Sequence, residues 1–355
     1  MKRLANRMKV VMKSSIEMKG NAVFDYSKFI LAIMVVAIHT RFLPKLLYPW
    51  LRLAVPLFFI MTGYFLFQKT AALNSPAEKN KRMLSFVERN LKLYFFWFLL
   101  LLPFVLYAKK WFYHGVVLGL AYFLRDLLFN GTFKASWYIM ASVLAALLIY
   151  FLSRKISNKA LLILTGCIYL VVCVWSSYSF LFDETETVKG FMGAYETIFA
   201  VPYNSFPVAL FWIACGKCYA DNDFGNLLST RNKIIAVIIF SVLLYAEWRV
   251  VYTYSGSLNN DCYIMLAPLS MLVFSCLKNI EISSSQRALV LRKCSTIIYA
   301  MHGTVAGVLQ TISEWFELGN DIVIFFSTIL ICISACYIIL KLEKVKGFKW
   351  LKYSH

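Results

Sequence analysis

Asp25-Tyr-Ser-Lys28-Phe-Ile-Leu-Ala-Ile-Met-Val-Val-Ala-Ile-His39 leads into the first long apolar run of the chain, which extends from Phe29 to Leu43. Ionisable side chains at membrane depth are rare and expensive, so a histidine inside such a run reads first as functional. Its spacing from Lys28 sharpens that reading. Eleven residues at 3.6 per turn return a helix to nearly the same face, about 16 Å further along its axis. One stripe of one helix then carries a cation near one membrane surface and an imidazole near the other. Asp25 lies a turn before Lys28, where it can pair with the lysine. Imidazole is the side chain suited to proton transfer near neutral pH. The alternative is a polar residue satisfied by a neighbouring helix.

Composition extends this reading to the whole chain. Of 355 residues, 60% are hydrophobic and 15% charged, where soluble domains carry about 25% charged residues. The expected fold is therefore an all-α integral membrane protein. Apolar runs spread along the entire length, leaving no stretch for a separate soluble domain. The expected organisation is a basic cytoplasmic segment over 1–23, one transmembrane domain over 24–341 and a basic cytoplasmic tail over 342–355. The first segment is too long and basic for a cleaved signal and lacks a small-residue cleavage site. The net charge of +19 does not imply nucleic acid, because the basic residues cluster between apolar runs as the positive-inside rule predicts. Six of the nine cysteines fall inside apolar runs and read as small buried hydrophobes. Cys215-Gly-Lys-Cys218 has no second pair to complete a zinc site, so no metal is expected.

Apolar runs of about 17 to 22 residues give ten expected spans, near 25–43, 50–68, 92–108, 136–153, 160–180, 206–220, 233–252, 262–278, 296–316 and 322–341. The stretch 111–130 is interrupted by His114, Arg125 and Asp126, and reads as an amphipathic interfacial or re-entrant piece. An eleventh span there would place the later basic loops outside. With the N-terminus inside, the clusters around Lys79-Arg89, Arg154-Lys159, Arg287-Lys293 and Lys341-Lys352 all fall on the cytoplasmic side, together with both termini. The longest outer loop carries Asp183, Glu184 and Glu186. No internal repeat is visible, which argues against inverted-repeat transporter folds.

This orientation sets Lys28 near the cytoplasmic face and His39 toward the outer one. Arg89-Asn-Leu-Lys92, at the cytoplasmic mouth of the third span, is either a topology anchor or a phosphate clamp, since guanidinium and ammonium groups bind phosphates well. In Arg52-Leu-Ala-Val-Pro-Leu-Phe-Phe-Ile-Met-Thr-Gly-Tyr64, Pro56 would kink the second span, while Thr62 and Gly63 permit close approach and an interhelical hydrogen bond. Trp137, Glu247, Arg249 and Asp261 fall at outer span ends, as aromatic-belt and loop residues or as a sugar-binding surface. His302 sits early in the ninth span and is expected in the cytoplasmic half, and His114 is expected to be solvated.

Taken in order, these segments resemble the multi-span bacterial acyltransferase family (acyltransferase family three), which includes O-acetyltransferases of surface polysaccharide and peptidoglycan. The family's Asp-x-x-Arg followed by ten residues and His is matched by Asp25-Tyr-Ser-Lys28 through His39. Its Val-Pro-x-Phe-Phe-x-x-Ser-Gly-Tyr segment is matched at 55–64, with Thr62 for serine, and its Arg-x-x-Arg by Arg89-x-x-Lys92. Ser136-Trp137-Tyr138-Ile139 looks like its Trp-Phe-Leu span start. Ser295-Thr-Ile-Ile-Tyr299-Ala-Met-His302 looks like its Gly-Ile-Tyr-Leu-x-His segment. Lysine replaces arginine at 28 and 92, which keeps the charge and removes the planar fork.

The resemblance implies a cytoplasmic-membrane O-acyltransferase that moves an acyl group, expected to be acetyl, from cytoplasmic acyl-CoA to a hydroxyl of a cell-surface or lipid-linked glycan. Acyl-CoA would be a co-substrate, with no permanently bound cofactor. Lys28, Arg89 and Lys92 would hold the donor's phosphates, and His39 would act as general base or transient acyl carrier. Asp25, Arg52, Thr62, Trp137, Tyr299 and His302 would support them. The same segments, including Arg52-Leu-Ala-Val-Pro56, also resemble the membrane domain of the vancomycin-resistance serine racemases, which implies the alternative of an amino-acid transporter. A structural partner of a polysaccharide assembly complex is a third option.

Overall fold

The computed structural model describes residues 21–182, 185–224, 228–258, 260–316 and 320–355. The basic residues expected before residue 21, the outer-loop acids Asp183 and Glu184, and the side chain of His114 lie outside the described residues. Among the described residues the chain is helical and forms no strand beyond one isolated bridge, Asn21 to Ser283.

The principal helices, in chain order, are α1 Ala22–Thr40, α2 Ala54–Ala71, α3 Pro76–Leu100, α4 Leu102–Lys109, α5 Val116–Arg125, α6 Ser136–Leu152 and α7 Asn158–Ser176. They continue with α8 Glu186–Phe199, α9 Phe206–Ala220, α10 Thr230–Ser255, α11 Leu266–Lys278, α12 Gln286–Trp315 and α13 Asp321–Leu342. Among the described residues six helical stretches are long and apolar enough to cross a membrane, or seven if a bent pair counts as one span. The chain therefore has the make-up of a multi-pass membrane protein.

Capping chemistry places the helix starts. The Asn21 side chain accepts the Val23 N–H at the head of α1. Ser75 and Glu78 close a reciprocal capping box at the head of α3. The expected third span, 92–108, is not continuous: α3 and α4 meet at Leu101 with a 78° bend. Pro103 explains the break, because its ring disfavours helical geometry in the residue before it and it has no N–H to bond back up the helix.

At the centre lies α9, from Pro207 through Tyr219 entirely buried. It packs on α2, α6 and α7. The α2–α9 crossing depends on two glycines facing each other's backbones. A Cβ on Gly63 would lie 2.5 Å from the Ile213 carbonyl oxygen, and one on Gly216 would lie 2.3 Å from that of Ile60. Small residues let helices approach this closely where no hydrophobic effect drives them together. By contrast, α10 exposes Ile234, Ile235, Ile238, Ile239 and Val242, a surface suited to lipid.

α12 packs along both α1 and α13. It starts at Gln286, ten residues before the expected span, so its first turns carry Arg287, Arg292 and Lys293. The terminal residues 346–354, within the expected basic tail, turn back onto α3. There the Trp97 indole N–H donates to the Ser354 carbonyl at 3.0 Å and Leu351 is buried.

Candidate functional site

The ends of α1 and α12 define the site. α1 runs unbroken, so the Lys28-to-His39 stripe persists, with Lys28 near one end and His39 in the last turn. The α1–α12 packing brings the His39 and His302 rings together, with centroids 5.2 Å apart and planes inclined by 34°. The expectation that His302 lies at the opposite depth from His39 is therefore corrected. Because α12 begins early, His302 stands sixteen residues into it and reaches the level of His39.

The two imidazoles are held differently. His302 is fully buried, and its Nδ1 is bonded to the Tyr299 carbonyl at 2.7 Å and the Ile298 carbonyl at 3.2 Å. Carbonyls only accept, so Nδ1 carries the proton and a neutral His302 keeps a free lone pair on Nε2. That Nε2 is buried without a partner among the described residues. His39 is half-buried, and its backbone carbonyl accepts from the Gln310 amide at 3.0 Å. Its ring makes no side-chain hydrogen bond among the described residues.

Both histidines line a cavity of about 940 Å³. Arg52, Trp137, Asp261 and Tyr299 line it as well, so six of the expected residues (His39, Arg52, Trp137, Asp261, Tyr299 and His302) come together. Arg52 pairs with Asp261 and also donates to the Leu258 carbonyl at 2.7 Å, tying the start of α2 to the 256–265 loop. Burial pushes the Asp261 carboxyl above its usual range, and the Arg52 guanidinium pulls it back part of the way. Behind the histidines, Tyr299 lies between His302 and Tyr138, with centroids 5.7 and 5.3 Å away. Thr62 completes this wall through the expected interhelical hydrogen bond, 3.0 Å from the Tyr138 hydroxyl.

The remaining expected residues lie elsewhere. Glu247 and Arg249 do not line the cavity. Glu247 instead accepts the Ile264 and Met265 N–H groups at 2.6 and 2.8 Å and bonds Tyr178, a structural role at the head of α11. Asp25, Lys28 and Arg89 gather at the other end of α1. The Asp25 carboxylate lies 3.9 Å from Arg292 and within electrostatic reach of Lys28. Arg292, Arg89 and Lys69 act on Lys28, and Arg82 acts on Arg89. The Lys28 ammonium lies 5.0 Å from the Phe65 ring. Lys92 is apart from this cluster. It is exposed, bonded to Glu88 one turn back on α3, and set against the Tyr353 ring.

Three members went unnoticed in the sequence. Arg292 and Lys69 join the basic cluster only through packing of distant helices. Lys134, on the loop before α6, lines the cavity, and its Cβ lies 2.7 Å from where a Cβ on Gly303 would be. A lone lysine three residues before Trp137 in a loop expected outside was its one signal. Among the described residues no group of three or more His, Cys, Asp and Glu side chains gathers to hold a metal ion. The site thus offers two imidazoles beside a cavity, with a cationic cluster about 16 Å away along α1.

A family model described as an acyltransferase domain matches residues 21–341. The chain is similar to an amino-acid racemase of Enterococcus faecalis, 24% identical over 319 residues, which are 87% of this chain and 44% of that protein. It is also similar to a serine/alanine racemase of Enterococcus gallinarum, 32% identical over 265 residues, 72% of this chain and 36% of the relative. The chain thus spans less than half the length of these curated relatives. No solved structure matches it.

Proposed function

The chain belongs to the acyltransferase domain family, and from that premise we propose that it is a membrane O-acyltransferase of the bacterial cytoplasmic membrane. It takes an acyl group, acetyl in the simplest case, from cytoplasmic acyl-CoA to a hydroxyl of a cell-surface or lipid-linked glycan. The observation that carries this reading is the His39–His302 pair on the wall of a cavity, one stripe of helix away from a basic cluster. In this proposal the chain crosses the membrane ten times with both termini in the cytoplasm. The donor's phosphates rest among Lys28, Arg89 and Arg292, and its extended pantetheine arm follows α1 to the cavity.

His39 then takes the proton of the acceptor hydroxyl while that oxygen attacks the thioester carbonyl. The carbon–sulfur bond breaks, the new ester bond forms, and the CoA sulfur leaves with the proton that His39 held. A positioned base of this kind contributes about 10² to 10⁴ in rate. His302, with its proton fixed on Nδ1, offers its free Nε2 lone pair to a second hydroxyl of the acceptor and so orients the reacting one. The pairing of Arg52 with Asp261 shapes the wall, and Trp137 supplies an apolar face for a sugar ring.

The relatives named as amino-acid and serine/alanine racemases favour a second reading, transport of a small amino acid through the same cavity. Proteoliposomes containing the purified chain separate the two. An acyltransferase releases free CoA thiol from acetyl-CoA, and His39→Ala abolishes that release although the variant still inserts. Accumulation of labelled serine without thiol release would instead establish transport.

A further inference from the structure

We propose that the molecule accepting the acyl group is anionic, and that Lys134 binds its carboxylate or phosphate. This rests on the acyl-transfer reading and names the substrate class for it. Besides the histidines, the cavity wall includes three basic side chains, Arg52, Lys109 and Lys134. Arg52 is paired with Asp261, and Lys109 with Asp126 at 2.9 Å, a carboxylate that Arg125 also contacts at 3.1 Å. Lys134 has no acidic partner among the described residues. An uncompensated ammonium at the edge of a largely apolar cavity is a binding site for an opposite charge, because the attraction is weakly screened where water is thin.

Its position is built rather than incidental. Gly131, at φ +83°, turns the chain just ahead of it in a conformation that side chains rarely adopt. A Cβ there would also strike the Trp137 nitrogen at 2.5 Å. Gly303, the residue after His302, leaves the space in which the Lys134 stem lies; an added Cβ would meet its Cβ at 2.7 Å and its Cγ and Cδ at 3.1 Å. The ammonium is thereby tethered beside the histidine pair, and its charge reaches both His39 and His302. A hydroxyl held at the histidines would have its anionic substituent on the neighbouring atoms of the same small molecule. Carboxylate and phosphate satisfy the lysine equally, since an ammonium has no planar preference.

The test uses the full chain in detergent, titrated with galacturonate, galactose 6-phosphate and galactose while tryptophan emission is followed, with Trp137 on the cavity wall as reporter. The expected result is saturable binding of an anionic sugar at least about tenfold tighter than galactose, the size of one charge-assisted hydrogen bond. The galacturonate and phosphate arms decide which anion is preferred. Lys134→Ala should erase the charge preference and Lys134→Arg should keep it. Equal binding of charged and neutral sugars, no saturable binding of either anion, or a preference that survives Lys134→Ala would overturn the proposal. CoA-thiol release by the unsubstituted protein is measured separately. Thiol release without a charge preference overturns the anionic acceptor alone, whereas a charge preference without thiol release overturns the acyl-transfer reading alone.

Discussion

The two cations expected to clamp the donor have different surroundings. Arg89 shares a cluster with Lys28, Lys69, Arg82 and Arg292, whereas Lys92 is exposed and already bonded to Glu88. Clustered cations repel one another until an anion arrives, so they favour a multiply charged phosphate more than a lone surface lysine does. Arg89→Ala should therefore raise the KM for acetyl-CoA by about tenfold or more, with Lys92→Ala close to unchanged. The Arg89 effect should shrink as salt rises. Equal losses at both positions would return Lys92 to the donor site. What the sequence made legible at this scale was local: the eleven-residue step from Lys28 to His39, and the Thr62 hydroxyl facing another helix. Proximity across the chain was not legible. His302 meets His39 only because α12 lies against α1, and the residue spacing within either helix carries no trace of that contact.

Many helix positions follow the apolar runs, although α8, Glu186–Phe199, forms within the stretch expected as the longest outer loop; helix ends were read poorly, because they are set by capping groups and prolines rather than by hydrophobicity. Pro103 broke the third span, and an early start of α12 moved His302 by ten residues, about 15 Å along the axis. The Gly63–Gly216 crossing gives a direct check on packing. Gly216→Ala places a methyl group against backbone that cannot move aside, so it should cost on the order of 1–3 kcal/mol and lower the thermal midpoint. Gly193→Ala is the control, since nothing lies within 4 Å of its added Cβ. There the better helix propensity should be neutral or stabilising by up to about 1 kcal/mol. The docked terminal segment adds a pH dependence. Burial, and the positive charges of Lys293 and Arg292, push His355 down to about 4 from its usual 6.5, against the pull of Glu343. The docked form thus takes up a proton less readily than the released one. Docking should be fully stable above pH 6.5 and weaken as pH falls from there toward 4. Hydrogen exchange at 346–354 would show protection lost over that interval, and protection unchanged down to pH 4 would contradict it.

For the whole molecule, composition alone pointed to a helical membrane protein, and the ordered motifs pointed to the family that matches residues 21–341. The cavity itself was not legible, because it is assembled from residues spread between 35 and 315. Nor was the charge balance that singles out Lys134, which depends on where Asp126 and Asp261 end up. In the proposed function, donor bound at the Lys28 end of α1 reacts at the His39 end, so that chemistry on one side of the membrane is supplied from the other. Sealed membrane vesicles of defined orientation test it most directly, with acetyl-CoA confined to one face and thiol release followed. The account predicts release when acetyl-CoA is given to the cytoplasmic face, none when it is given to the outer face, and none in either case from a membrane-inserted His39→Gln variant, since glutamine hydrogen-bonds but takes no proton near pH 7. Thiol release from the outer face, or undiminished release by His39→Gln, would contradict it.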